Sequence, residues 1–364
     1  MSDAKQLTAL QIIVLTTSTM IGIGIILMPR DLARHVDTPD LWISIIFGAI
    51  FMCIVSIIYA FLSSRYPGLS IFDISPIIVG KWFGFIFNFC FVIYCLIISA
   101  YILRVTAVII KNYLLDTTPL YVIAGTFLMV SLYLIANGAG DVVRFFQLYF
   151  PIMMFMFIVL ALLSTKDINI QNTRPMFETD ILPLITGVKI TLFSFVGIEF
   201  LLVFGTLIKK KSAKNLMYTL WTSLGLTSML YILFIIISIG VLGVEELKEI
   251  AFPTIEMAKS IEFQGFFFER FELIFLFGWL ITAFTSLTAY YFSMTTGMKK
   301  MFGGSRFMIW ISGTIIYVLT LYPEGLTDVF HYSQLIQIIS AIAVIAIPGI
   351  LLLVSLLRRQ TYVS

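Results

Sequence analysis

Thr19-Met20-Ile21-Gly22-Ile23-Gly24-Ile25, followed by Pro29, interrupts the first long apolar run of the chain near its middle. A second interruption reads Phe193-Ser194-Phe195-Val196-Gly197-Ile198-Glu199, and Gly22 and Gly197 lie 175 residues apart. Glycine lowers the cost of leaving helical geometry. Within a bilayer, unwound backbone is tolerated only where protein or a water-filled cavity satisfies its polar groups. Close packing through Gly22-x-Gly24 would account for the first break taken alone. Two breaks in corresponding positions point instead to a binding site between inverted repeats.

The rest of the chain supports a membrane setting. Of 364 residues, 60% are hydrophobic and 12% charged, whereas a soluble domain is about 45–50% apolar and about 25% charged. So little charge cannot cover a globule of this size, and 34 Phe exclude a disordered chain. About 20 apolar residues cross a bilayer as a helix. Ten segments qualify: roughly 8–34, 41–63, 82–112, 118–136, 142–164, 184–206, 216–243, 267–298, 306–322 and 332–357. None alternates as a barrel strand would. The expected fold is an all-α polytopic membrane protein of ten transmembrane helices. It is a single transmembrane domain over 1–364, with a first five-helix repeat at about 8–164 and an inverted second repeat at about 184–357. Helices 1 and 6 are the discontinuous ones.

With the N-terminus in the cytoplasm, thirteen Lys and Arg fall on the cytoplasmic side and seven outside, and Lys209–Lys214 is the strongest cluster. Both termini are expected to be cytoplasmic. Two loops do more than connect. Residues 65–80 read as a short segment at the cytoplasmic interface, and residues 244–263 as an amphipathic outer cap. The polar stretch 165–183 joins the halves.

At the paired breaks, the first would offer N–H groups to a carboxylate and the second would offer carbonyls to an ammonium. A zwitterionic amino acid matches that pair, with Phe193, Phe195, Val196 and Ile198 as an apolar wall. Glu199, two residues past Gly197, would pair with an ammonium, hold a proton, or bond freed backbone N–H groups. Arg104, deep in the third span, needs a partner, and Glu199 is a candidate. Tyr94, Ile98 and Tyr101 share one helical face. Hydroxyls at Thr282, Thr285 and Ser286 either ligate a cation or substrate or bond their own helix. Glu269, Arg270 and Glu272 suit a local charge network. No Asp near the first break supports sodium coupling.

Other classes are disfavoured. A net charge of +3 is no footprint for nucleic acid. Cys53, Cys90 and Cys95 form no metal-ligand spacing and read as packing residues. His35 and His331 read as interfacial. No phosphate loop, H-E-x-x-H or nucleophile elbow occurs, so neither an enzyme nor a bound cofactor or metal is expected.

The chain resembles, over nearly its whole length, the B subunits of the nutrient germinant receptors of endospore-forming bacteria. These belong to the amino acid–polyamine–organocation (APC) superfamily, with its LeuT/APC-type discontinuous helices. The matching stretches are Thr19–Gly24 with Leu27-Met28-Pro29-Arg30, Gly80-Lys81-Trp82, Asn172-Thr173-Arg174-Pro175 and Ser194–Glu199. The narrowest match is Phe252-Pro253-Thr254-Ile255 leading to Phe268-Glu269-Arg270-Phe271-Glu272 and Trp279. The resemblance implies a spore inner-membrane receptor subunit that works with an A subunit and a lipoprotein C subunit. It implies a nutrient ligand, often an amino acid, whose binding triggers germination with release of ions and dipicolinate. It also implies a pocket lined by Gly22, Gly24, Tyr94, Ile98, Phe195, Gly197, Ile198 and Thr285. The fifth span has no Lys after Arg144, which disfavours the lysine-type proton coupling of some relatives. A secondary amino acid transporter using the same pocket is the alternative, and an ion or water channel a more distant one.

Overall fold

The computed structural model describes residues 6–208, 211–261, 270–305, 307–323 and 325–358, without the side chains of residues 23, 326, 327 and 329–331. The described residues contain helices and no strands. In chain order they form α1 (Ala9–Val36), α2 (Leu41–Arg65), α3 (Ile71–Val79), α4 (Lys81–Tyr113), α5 (Leu120–Ala136), α6 (Ala139–Ser164) and α7 (Ile181–Ser194). Next come α8 (Phe200–Val203), α9 (Ala213–Leu242), α10 (Val244–Glu249), α11 (Pro253–Lys259), α12 (Glu272–Phe302), α13 (Phe307–Leu321), α14 (Leu326–Ser340) and α15 (Ile347–Leu357).

Six helices are long and apolar enough to cross a membrane, and the two arms of α1, bent by 50°, make a seventh span. The other three expected spans are shorter: α5, α7 and α13 have 17, 14 and 15 residues. Burial separates inner from outer helices. The apolar windows of α4, α9 and α12 are 67%, 61% and 72% buried, against 28% for the α6 span. Helix α1 packs against α6, α7, α9 and α12, which sets its break at the middle of the bundle.

Three prolines inside helices explain several contacts between them. A proline lacks the N–H that would bond the carbonyl four residues back, so each leaves a carbonyl to be satisfied from elsewhere. Pro29 does this to Ile25, whose oxygen accepts from the Thr254 hydroxyl of α11 at 2.7 Å. Pro76 does it to Phe72, which accepts from Asn88 Nδ2 at 2.9 Å. Pro348 does it to Val344, which accepts from the Tyr59 hydroxyl at 2.7 Å. Just before Pro348 the last span widens into a π-turn over Ala341–Ala346, an irregularity the hydropathy pattern did not signal.

The connecting segments agree with expectation in kind. Helix α3 buries Ile71, Phe72, Ile74 and Ile78. Helices α10 and α11 bury Leu247, Ile255 and Met257 and pack on α1. Lys248 pairs with Asp37 and Glu245, and Arg34 Nε donates to the Lys248 carbonyl. These bonds fasten the cap to one end of α1. Cys95 is buried, but Cys90 is exposed and so is no packing residue. His35 closes the last turn of α1 through Asp31 O. The His331 side chain, Glu262, Glu269, Lys209 and Lys210 lie outside the described residues. No group of three or more metal-ligating side chains occurs among those described.

Candidate functional site

Both breaks are present. Gly22 has φ −4° and ψ −107° inside α1. Between α7 and α8, Phe195–Glu199 leaves the helix, and Gly197 has φ +142°, a conformation that disfavours any side chain. Beyond the second break the span continues for only the four residues of α8 and a 3-10 turn over Phe204–Leu207.

The breaks are tied together by side chains the sequence reading did not single out as their partners. The Tyr231 hydroxyl of α9 lies 2.5 Å from Met20 O and 2.9 Å from Ser194 O, so one donor serves both breaks. Trp279 Nε1 donates to Gly22 O at 2.8 Å, and the Ser286 hydroxyl to Thr19 O at 3.0 Å. The second break is closed by Glu199. One of its carboxylate oxygens accepts from the Gly197 N–H at 2.7 Å; the other accepts from the hydroxyls of Tyr94 at 2.6 Å and Tyr290 at 3.1 Å. Glu199 is fully buried. Those three bonds offset part of the cost of burying its carboxyl group.

These bonds correct the simple picture of two open helix ends. The Ser194 carbonyl is already held by Tyr231, and the Gly197 N–H by Glu199. The unwound backbone is satisfied largely by protein, as an apolar surrounding demands. Of the three roles open to Glu199, bonding a freed backbone N–H is the one the geometry displays.

A small cavity of about 30 Å³ remains between the breaks. Thr19, Met20 and Gly24 line it from α1, and Phe193, Ser194 and Val196 from the end of α7 and the break. Ile98, Tyr101, Ser286 and Tyr290 also reach it from α4 and α12. Of the eight residues expected to line the pocket, Gly24 and Ile98 do so. Gly22 and Gly197 shape the breaks beside it. Tyr94 turns to Glu199, and Phe195 packs on the Tyr231 ring. Ile198 and Thr285 are buried away from the cavity. Thr282 and Thr285 bond carbonyls three residues back in α12, Trp279 O and Thr282 O. Ser286 alone of those three hydroxyls crosses to α1.

Arg104 does not pair with Glu199. It lies ten residues beyond Tyr94 on α4, about 15 Å along the helix. There it lines a separate cavity of about 170 Å³ with Tyr101 and Tyr332 and feels the charge of Asp328. A third cavity, about 390 Å³, borders α2, α7 and the last span, and shares Phe193 and Val196 with the central one. The Tyr101 and Phe193 rings meet edge to face at 6.4 Å. Each ring is a wall between the central cavity and one larger neighbour. Arg270 Nε bonds Glu272 at 2.8 Å, the described part of the expected charge network.

Solved structures share this architecture. One is MhsT in complex with L-phenylalanine, 13% identical with a TM-score of 0.68 over 96% of this chain and 89% of that one. Another is Mhp1, a nucleobase-cation-symport-1 family transporter, in a closed conformation with bromovinylhydantoin bound. It is 13% identical with a TM-score of 0.75 over 98% of this chain and 80% of that one. At that identity the likeness establishes the fold, a LeuT/APC-type bundle with discontinuous first and sixth spans. Sequence relatives are nearer. Spore germination protein YndE of Bacillus subtilis (strain 168) is 30% identical over 99% of both chains. Spore germination protein A2 of the same organism is 30% identical over 98% of this chain and 97% of its own. Spore germination protein GerLB of Bacillus cereus is 27% identical over 94% and 92%. The family model described as Spore germination protein matches residues 6–356, and the chain belongs to that family.

Proposed function

We propose that the chain is the nutrient-sensing membrane subunit of a spore germinant receptor, with a small amino acid as its ligand. One observation carries the reading: the central cavity lies where the two helix breaks meet. At about 30 Å³ it has room for about one water molecule. An amino acid enters only if the breaks move apart, so ligand necessarily favours a different arrangement of α1 and α7. Both breaks are fastened to α9 and α12, and that rearrangement is the signal passed to partner subunits. The ligand's polar groups meet Thr19, Ser194 and Ser286, and its side chain meets Ile98, Phe193 and Val196. The subunit sits in the spore inner membrane with both termini on the cytoplasmic side, beside an A subunit and a lipoprotein C subunit. The Lys and Arg distribution supports that orientation.

The test is a germination screen of single amino acids, sugars and nucleosides in spores carrying only this receptor, read by dipicolinate release. Response to an amino acid, lost in Ser286→Ala while the protein still accumulates, supports the reading. Response only to sugars or nucleosides removes the amino acid. The fold shared with the transporter Mhp1 favours a second reading, secondary transport through the same cavity. Concentrative uptake of a labelled amino acid by the purified protein in liposomes would establish it.

A further inference from the structure

The cavity of about 390 Å³ beside α7 has chemistry of its own. Four polar side chains line it: Lys189 from α7, Gln334, Gln337 and Ser340 from α14. None of the four makes a side-chain hydrogen bond or ion pair among the described residues. Ser340 is 2% exposed, so its unsatisfied hydroxyl is buried against the cavity. Lys189 is the ninth residue of α7, about 12 Å along the helix from its first residue. Gln337 is the twelfth of α14. Lys189 and Gln334 are exposed at the mouth of the cavity and Gln337 is half-buried, and within an apolar span such groups are costly unless they are partnered. The π-turn that begins one residue past Ser340 forms part of the wall, and such turns recur at functional sites.

The remaining lining is apolar, and Phe193 and Val196 form the side shared with the central cavity. No Asp or Glu lines it. The volume lies within the range of about 300–1,000 Å³ usual for small-molecule sites. An ammonium supplies a point charge with three donors, and each glutamine amide two more. Together they suit a carboxylate, and they offer no anion to an amine.

We infer that this cavity is a second ligand site, which takes a monocarboxylate with an apolar body and places the carboxylate against Lys189, Gln337 and Ser340. It does not depend on the central cavity binding a nutrient. The same chemistry describes a short branched acid arriving from water and a fatty acid arriving from the bilayer.

The experiment measures binding of labelled 4-methylpentanoate and of labelled oleate to the full-length protein in phosphatidylcholine nanodiscs. Saturable binding of either acid is expected, at least tenfold weaker in Lys189→Gln and in Gln337→Leu and retained in Lys189→Arg. Competition by 4-methylpentylamine is expected to be absent. Binding of the short acid assigns the site to a water-borne ligand, and binding of oleate alone to a bilayer ligand. Ser286→Ala, which acts on the central cavity, is expected to leave this binding unchanged even if the nutrient response is lost. Thermal midpoints of the ligand-free variants separate lost binding from lost folding. If Lys189→Gln does not fold, Lys189→Arg and Gln337→Leu decide. Absence of saturable binding of both acids, or equal binding in wild type and the folded non-conservative variants, would overturn the assignment.

Discussion

The Thr254 hydroxyl of α11 donates to the Ile25 carbonyl of α1 at 2.7 Å, across 229 residues of sequence. Pro29 removes the helical partner of that carbonyl, and Thr254 replaces it. A cap segment outside the spans thereby reaches the second arm of the broken helix, Gly24–Val36, close to the break. Thr254→Val keeps the shape and deletes the donor. It is expected to lower stability by about 1–3 kcal/mol, the cost of a buried acceptor left alone, and Thr254→Ser should restore most of it. Thermal unfolding of the purified protein reads both.

Tyr231 serves two carbonyls with one hydroxyl, one from each break. Tyr231→Phe preserves the ring packing against Phe195 and removes only that donor. The expected loss is again about 1–3 kcal/mol, with a weaker nutrient response because the breaks are no longer held to a common point. An unchanged thermal midpoint would show that water takes over the donor's role.

The breaks were legible in the sequence because glycine and proline act locally. Gly22 and Gly197 lower the cost of leaving the helix, and Pro29 frees the Ile25 carbonyl within the second arm of α1. The partners of the freed carbonyls were not legible as such. Tyr231, Trp279 and Ser286 are three of many hydroxyl and ring N–H groups on α9 and α12, and nothing local says which of them meet α1. The same holds for Arg104 and Glu199. Each needs compensation inside a membrane, but hydropathy does not reveal that Glu199 meets α4 at Tyr94, ten residues from Arg104. Of the expected lining, Gly24 and Ile98 face the central cavity, and the other six shape the breaks or pack beside it. Within the stretch Phe252-Pro253-Thr254-Ile255, Thr254 holds the carbonyl that Pro29 frees.

The glycines at the breaks are predicted to differ in how they can be rescued. A Cβ at Gly22 would lie 2.4 Å from Ser286 Oγ, and one at Gly24 2.4 Å from the Tyr231 hydroxyl. Gly22→Ala is expected to cost about 1–3 kcal/mol from overpacking. Combined with Ser286→Ala it should cost less than the sum of the two changes, because the clashing atom is gone. Gly197→Ala should show no such relief from a neighbouring truncation, since its φ of +142° opposes a side chain directly. A double-mutant cycle on thermal stability distinguishes the cases.

Outside the spans, Asp73 anchors α3. Burial alone would raise its carboxyl, but bonds from Lys300 Nζ at 2.7 Å, the Ser70 hydroxyl at 2.6 Å and the Ser70 N–H at 3.2 Å outweigh it and hold it below the ordinary value of 3.8. A carboxyl depressed in the folded state adds stability that is full above its unfolded pKa. That stability is lost as pH falls through the folded one. The attachment of α3 is therefore expected to weaken below about pH 4, and Asp73→Asn should remove that pH dependence. Because Lys300 is partly exposed, the ion pair itself contributes no more than about 1 kcal/mol. Hydrogen exchange of the α3 amides between pH 3 and 6 measures it.

Phe193 and Tyr101 stand between the central cavity and its two larger neighbours. If the central cavity holds the nutrient, the ring pair is its barrier to escape. Phe193→Ala opens a path toward the 390 Å³ cavity, and Tyr101→Ala one toward the 170 Å³ cavity. Either is expected to speed ligand dissociation about tenfold, which corresponds to about 1.4 kcal/mol of barrier. The rings also contact each other, and an edge-to-face pair is worth about 0.5–1.5 kcal/mol. The double variant should therefore fall short of the product of the single effects. Dissociation of a labelled amino acid from the four proteins of that cycle measures the coupling. Rates that multiply without shortfall would show that the two rings act as separate walls and not as one gate.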